Sequence, residues 1–335
     1  MDFDLSQDQR DLQSAARAWF TAEWAPDELR AVLDGSPLPD LRPALAKVGY
    51  LDVLAAGGTV LDLAVIATEA GRVLAPAPLI GTAARAVPLL QASGAHDLLA
   101  EVATGLTSVA VLDGDFHLAA DGTVSGRCDL APNLTAADLF LLLAESSQGP
   151  RILAVRRGPE TTPIDRAILD ASRDLGGIIL TNAPATVLDP PEPRAAWAHT
   201  ALLGTVIAAA EDLGTLERSL EMMVAYAKER HTFGRAIGSY QAVKHACVDV
   251  YVDLELVRSL VWLAAWTAAS APDRLPLPAS AAASLSSEAL TRATDSLIHI
   301  HGGLGFTWSH NAHLYWRRAQ TSHPLHPTPN TPHPT

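Results

Sequence analysis

Between Ala227 and His245 the chain reads AKERHTFGRAIGSYQAVKH, a basic, aromatic and glycine-bearing run set between two long apolar helical patterns. A turn between helices needs only a few residues such as Gly or Asn, so Arg230, Thr232, Phe233 and Gln241 exceed what connection demands. One well-placed arginine suffices to hold a small anionic ligand. The plainer reading, in which Arg230 and Phe233 only cap and pin the helices, stands beside it, and Gly234 and Gly238 suit turn geometry on both. A second run, IHIHGGLGFTWSHNAHLYWRRA from Ile298 to Ala319, gathers His299, His301, His310 and His313 around a pair of glycines. Histidines three apart can share a helix face and a metal. No Glu-x-x-His pair or carboxylate cluster accompanies these, so no metal is expected.

The elements that must position these runs are mostly helical. Ser6-Gln7-Asp8-Gln9 has the form of a capping box, followed by Leu12, Ala15, Ala16, Trp19 and Phe20 at helical spacing, so a helix starts near Ser6. Further helical patterns run from Pro39 to Val48, Leu61 to Leu74 and Ala83 to Leu99. From Ser108 the pattern turns to short apolar runs with turn signals between them, and Asp113-Gly114 and Asp121-Gly122 read as hairpin turns. After the proline-rich DPPEPR, a helix of ~30 residues leads to Arg230. Others run from Ser239 to Ser270 and from Ala279 to His301, and a shorter one follows Phe306, which suggests a four-helix bundle. The expected class is mainly α with a small β domain: an N-terminal helical domain (1–107), a middle β domain (108–194), a C-terminal bundle (195–320) and a disordered proline-rich tail (321–335).

Composition narrows the partners. A hydrophobic fraction of 48% over 335 residues supplies a sizeable core, and no run approaches ~18 uninterrupted apolar residues. The polar, acidic start MDFDLSQDQR is unlike a signal peptide, so the expected address is the cytoplasm, with no membrane partner. Cys128 and Cys247 lie far apart in unlike contexts and are expected to be reduced. A net charge of −13 with scattered basic residues opposes nucleic acid.

The order of domains, together with KERHTFGRAIGSYQAVKH and IHIHGGLGFTWSHNAHLYWRRA, resembles the acyl-CoA dehydrogenase family of flavoenzymes. MDFDLSQDQRDL and ATEAGRVLAPAPLI resemble that family's N-terminal signatures, especially in its short actinobacterial members, and the likeness extends over residues 1–322. It implies an acyl-CoA dehydrogenase-like fold in which the middle domain is a β-barrel or sandwich. It also implies FAD as cofactor, an acyl-CoA thioester as substrate, and a dimer of dimers assembled through the bundle, with electron-transfer flavoprotein a candidate acceptor. In relatives the Arg, Thr and Phe of the first run reach a neighbour's FAD across a dimer interface and the following Gln touches its phosphate end. Carried over, these are Arg230, Thr232, Phe233 and Gln241. The relatives' Gln-x-x-Gly-Gly run appears here as His299-Ile300-His301-Gly302-Gly303, which implies cofactor contacts for Gly302, Gly303 and, with histidine in place of glutamine, His299.

The family's reaction needs a glutamate to take the α-proton, and here the resemblance fails. One branch's position falls on His326, another's on Gly204, and the T-W-E glutamate of many short relatives is replaced by Ser309, so no catalytic residue is assigned. The loop and strand with which relatives hold the flavin ring are missing as well. The leading expectation is a subunit of an FAD-dependent acyl-CoA dehydrogenase that contributes FAD contacts to a related chain supplying the base, as in the heterotetramers that act on bulky steroid side-chain thioesters. The alternative is a catalytically inactive, dehydrogenase-like scaffold. A third reading, a homo-oligomer using Glu211 or Glu217 as base, places both on a solvated helix face where surface charges are common.

Overall fold

The computed structural model describes residues 4–164 and 166–322. Helix α1 (Gln7–Glu23) opens on the capping box: the Gln9 N–H donates to Ser6 Oγ at 3.2 Å and the Ser6 N–H to Gln9 Oε1 at 2.9 Å. Helices α2 (Glu28–Leu33), α3 (Arg42–Lys47) and α4 (Val60–Arg72) follow. The pattern from Ala83 to Leu99 is not one helix. A buried π-helical stretch, Leu79–Ala86, runs into α5 (Val87–Ala92), and α6 (His96–Ala103) starts afresh after Gly94, whose φ of +64° is a left-handed stop hidden by the Ala and Leu around it.

The strands are β1 (Val109–Leu112), β2 (Asp115–Leu118), β3 (Thr123–Pro132), β4 (Leu139–Ala144), β5 (Arg151–Arg156), β6 (Thr161–Ile164), β7 (Leu175–Pro184) and β8 (Thr186–Leu188). They form two four-stranded sheets, ordered β1-β4-β5-β8 and β2-β3-β7-β6; β1 and β4 pair in parallel and the other neighbouring strands antiparallel. Phe116, Val124, Cys128, Ile178 and Leu180 of the second sheet share one core with Leu112, Phe140, Leu142, Leu153 and Val155 of the first. The alternate residues Val109, Val111, Leu139, Leu141 and Ile152 pack with Val87, Leu90 and Val102 of α5 and α6. The first sheet is therefore covered on both faces, which is why DLFLLLA reads as an unbroken apolar run. Asp121-Gly122 does turn β2 into β3, but Asp113-Gly114 joins strands of different sheets and is no hairpin. Gly114 answers a close approach instead, since a Cβ there would stand 2.1 Å from the Arg127 carbonyl oxygen.

Helix α7 (Pro193–Glu229) leads through two short strands, β9 (His231–Thr232) and β10 (Arg235–Ala236), to α8 (Gln241–Ser270), α9 (Pro276–His301) and α10 (Ala312–Ser322). Helix α10 takes in Thr321 and Ser322, two residues beyond the expected bundle boundary, because the first proline comes only at Pro324. The rest of the expected tail, with His326, lies outside the described residues. Two compact units result. The described residues up to Pro37, Ala64–Ala75 and those from Thr205 onward form one, Leu38–Leu63 and Pro76–Gly204 the other, and the divide falls within α4 and α7.

In the first unit α4 and α7 meet backbone to backbone: Cβ atoms on Gly71 and Gly214 would stand 2.0 Å from Glu211 O and 1.8 Å from Thr68 O. Glu211 and Glu217 are not solvated, as the helical pattern suggested, but buried at 2% and 8% exposure. Glu217 is held by Arg72 Nη1 at 2.8 Å and Arg258 Nη1 at 2.6 Å, and Arg318 Nη1 lies 3.7 Å from Glu211. These arginines come from α4, α8 and α10, so no local pattern could announce them. Among the described residues no helix is long and apolar enough to cross a membrane. Both cysteines are free, and burial pushes the Cys128 thiol up to about 12.

Candidate cofactor site

The run after α7 is a β-hairpin. Thr232 pairs with Arg235 and His231 with Ala236, and the two-residue turn is Phe233-Gly234, with φ of +53° and +80°. Two positive φ values in a two-residue loop are the type I′ pattern, which Asn-Gly satisfies best; the phenylalanine hid the hairpin from the sequence. Phe233 is 92% exposed in a left-handed conformation that costs a non-glycine residue roughly 1–2 kcal/mol. Below the tip the hairpin is well tied. The Tyr240 hydroxyl donates to Thr232 O at 3.1 Å, the Arg235 guanidinium sits 4.0 Å above the Tyr240 ring, and the Ile237 N–H donates to Arg230 O at 2.8 Å. Tyr240 and Arg235 were missed in the sequence; the available signal was an aromatic residue directly before the first turn of α8. Arg230, Thr232 and Gln241, the first residue of α8, are exposed, and among the described residues the Arg230 guanidinium has no ion-pair partner.

The second expected segment leaves α9 at His301. Gly302 caps the helix with φ +59° and ψ −139°, backbone closed to residues with a Cβ, and Gly302–Phe306 then forms a 3₁₀ turn. Nothing stands within 4 Å of a Cβ built on Gly302 or Gly303, so their backbone faces open space. His299 is exposed in the last turn of the helix. His301 is buried, with Nδ1 2.8 Å from Leu297 O. Its ring stacks on Tyr226 in the last turn of α7, with centroids 4.2 Å apart, which brings the hairpin root and the diglycine turn together. Beyond the turn, Arg30 of α2 clips the loop by donating to Trp308 O at 2.8 Å and Ser309 O at 3.1 Å; a partner so distant in sequence left no trace there. The His301 and His310 rings are in tilted contact with centroids 4.4 Å apart, and among the described residues no group of three His, Cys, Asp or Glu could hold a metal.

The positions where the resemblance places a base hold no carboxylate. A Cβ on Gly204 would stand 2.9 Å from Cδ of Arg85, whose guanidinium is bound by Asp113. Trp197 Nε1 donates to the same carboxylate at 3.1 Å, and the Arg85 guanidinium lies 5.2 Å from the Trp197 ring centre. Ser309 is exposed, its hydroxyl 3.1 Å from that of Thr307. Glu217 is already bound by two arginines.

A family model, acyl-CoA dehydrogenase C-terminal domain, matches residues 200–325. Acyl-CoA dehydrogenase IpdE2 of Mycobacterium tuberculosis is 36% identical over 276 residues, 82% of this chain and 76% of that protein. The chain belongs to the acyl-CoA dehydrogenase family. Among solved structures, the ChsE4-ChsE5 complex from Mycobacterium tuberculosis matches at 25% identity and a TM-score of 0.87, over 96% of this chain and 94% of that one. The steroid acyl-CoA dehydrogenase Tcur3481-Tcur3483, in a G363A variant, matches at 28% and 0.84, over 96% and 94%. Acyl-CoA dehydrogenases are FAD-binding oxidoreductases, and the residues gathered here suit such a cofactor. The donor set consists of an uncommitted guanidinium, an amide, an aromatic ring and open glycine backbone, the groups that a diphosphate and a flat apolar ring would use. All of them stand on exposed surface.

Proposed function

We propose that this chain is a subunit of an FAD-dependent acyl-CoA dehydrogenase that contributes FAD contacts across an interface to a related chain, and that the related chain supplies the base. The observation that carries this reading is Phe233: a large apolar ring, 92% exposed and held in a disfavoured conformation at a hairpin tip beside the exposed Arg230, has a use if something covers it. Val248, Tyr251, Val252 and Leu256 leave an exposed apolar stripe on α8, which suits the same assembly. Complexes of paired chains among the structural relatives support a heteromeric partner, and the steroid dehydrogenase among them supports a bulky acyl-CoA substrate.

FAD, when bound, supplies a hydride acceptor for the substrate's β-carbon. This chain's residues would act on the cofactor's far end. Arg230 would neutralise phosphate charge, Gln241 and His299 would donate or accept at the polar edge, Gly302 and Gly303 would admit close backbone approach, and Phe233 would exclude water. Removal of the α-proton falls to the partner, since Gly204 is packed under Arg85 and Ser309 cannot act as a carboxylate base. The test is expression with and without the related chain, reading flavin-to-protein ratio and acyl-CoA dehydrogenation. Flavin and turnover are expected only in the pair. A colourless, inactive pair would favour the scaffold reading, and robust turnover by this chain alone would refute the division of labour.

A further inference from the structure

Three segments meet at one cluster of rings. The first is the end of α7, where Tyr226 lies one turn before Arg230 and the hairpin. The second is the end of α9, where His301 directly precedes Gly302. The third is the loop beyond the diglycine turn, which carries His310. The His301 ring touches both of the others, stacked 4.2 Å from Tyr226 at an interplanar angle of 24° and tilted at 43° to His310, 4.4 Å away. Each histidine ring is fixed by its own backbone bond. A carbonyl only accepts, so His301 Nδ1 carries the proton it shares with Leu297 O, whereas His310 Nδ1 accepts from the Ala312 N–H at 3.1 Å and carries none. The turn also passes close to the root of the His301 side chain: a Cβ on Gly305 would stand 3.2 Å from His301 Cβ.

A buried helix end needs apolar volume, which a leucine would provide. Three rings in contact do more, because rigid planes set the separation between the hairpin and the diglycine backbone. A long ligand that touches both segments binds well only when that separation is fixed beforehand. We propose that His301 is a positioning residue for the cofactor, held against Tyr226 and His310 so that Arg230 and the Gly302-Gly303 backbone face a single dinucleotide at a set spacing. This rests on the reading of these segments as FAD contacts.

The experiment titrates FAD into the flavin-free paired complex, following flavin fluorescence, and records the melting temperature of the same samples. His301→Ala is expected to weaken FAD binding about tenfold, the upper reach of one aromatic pair. His301→Phe, which keeps a ring in the cluster, should stay within about threefold of the parent, and His301→Leu, which keeps volume but no ring, should behave like His301→Ala. A purely structural role predicts rescue by leucine as good as by phenylalanine, and that result, or unchanged affinity in a folded His301→Ala complex, overturns the proposal. If His301→Ala does not fold, Tyr226→Leu breaks the same cluster from α7 and decides by the same criterion. Arg230→Ala, run alongside, separates the two readings: full flavin in that variant defeats the site itself, whereas lost flavin there with unchanged binding in His301→Ala defeats only the brace.

Discussion

Arg230 presents a cation on exposed surface in a chain of net charge −13, where an unpaired arginine has many carboxylates to choose from and takes none among the described residues. If its partner is a cofactor phosphate, Arg230→Ala removes a charge-assisted bond of about 1.5–3 kcal/mol, roughly ten- to a hundredfold in affinity. Flavin content of the paired complex should fall while the melting temperature of the flavin-free complex matches that of the flavin-free parent, and the loss should grow as salt is lowered; Phe233→Ala should weaken binding with little salt dependence. Histidines give a second prediction. Burial holds His301, His310 and His313 below the ordinary histidine value; the charges of His301, Arg30 and His313 add to the effect on His310, as those of Arg317 and Arg30 do on His313. An unfolded histidine binds its proton near pH ~6.5, so above that both states are neutral and the full stability is present. As pH falls below that value the unfolded chain takes up protons first, and stability declines until the folded imidazoles protonate too. Melting temperature should therefore drop between pH ~7 and ~5, and His310→Phe should flatten the slope. An equal slope in that variant would remove His310 from the account. Arg230 and its companions could be named from residue type and spacing because a helix connection does not need them. Arg30, Arg85 and Tyr226 could not, since what they touch is brought up only by the fold.

The hairpin is the element in which local sequence and local structure disagree. Asn-Gly is what a type I′ turn prefers, and this chain places Phe at the first position, 92% exposed with φ +53°. Phe233→Asn should relieve strain of roughly 1–2 kcal/mol, raising the melting temperature slightly or leaving it level, while flavin affinity falls because the ring is gone. A variant that gained stability and kept full flavin affinity would show that the ring has no part in the site. The same element explains a limit of periodicity. Helices α7, α8 and α9 were legible because apolar spacing repeats over many turns, whereas β9 and β10 are two residues each and carry no period. The break at Gly94 and the sheet change at Asp113-Gly114 were obscured in a related way. Each looks locally like something commoner, a continuing helix or a hairpin, and tertiary packing decides otherwise.

At the scale of the whole molecule, α7 joins apolar faces around much of its girth with carboxylates at Glu211, Asp212 and Glu217, and all of them are buried. Apolar spacing foretold a helix surrounded by neighbours. The charges misled, because the arginines that balance Glu217 and Glu211 come from α4, α8 and α10, and burying a carboxylate is costly unless such partners arrive. The surface that remains apolar is therefore informative. Val248, Tyr251, Val252 and Leu256 lie at i, i+3, i+4 and i+8 on α8, each about half exposed, on the helix that starts at Gln241 beside the hairpin. A stripe of this kind buries itself against another chain, and if the flavin contacts lie across that contact, assembly and cofactor binding are one equilibrium. Diluting the paired complex should then release flavin in step with dissociation, with sedimentation and flavin fluorescence giving the same midpoint. Val252→Lys, which sets a charge in the stripe without touching Arg230 or the diglycine turn, should move both midpoints together toward higher protein concentration. Added FAD should move them back, because a ligand that binds only the assembled form stabilises it by mass action. Two separate midpoints, or a monomer at micromolar concentration that retains its flavin, would mean that this chain holds its cofactor unaided and that the exposed ring of Phe233 has some other use.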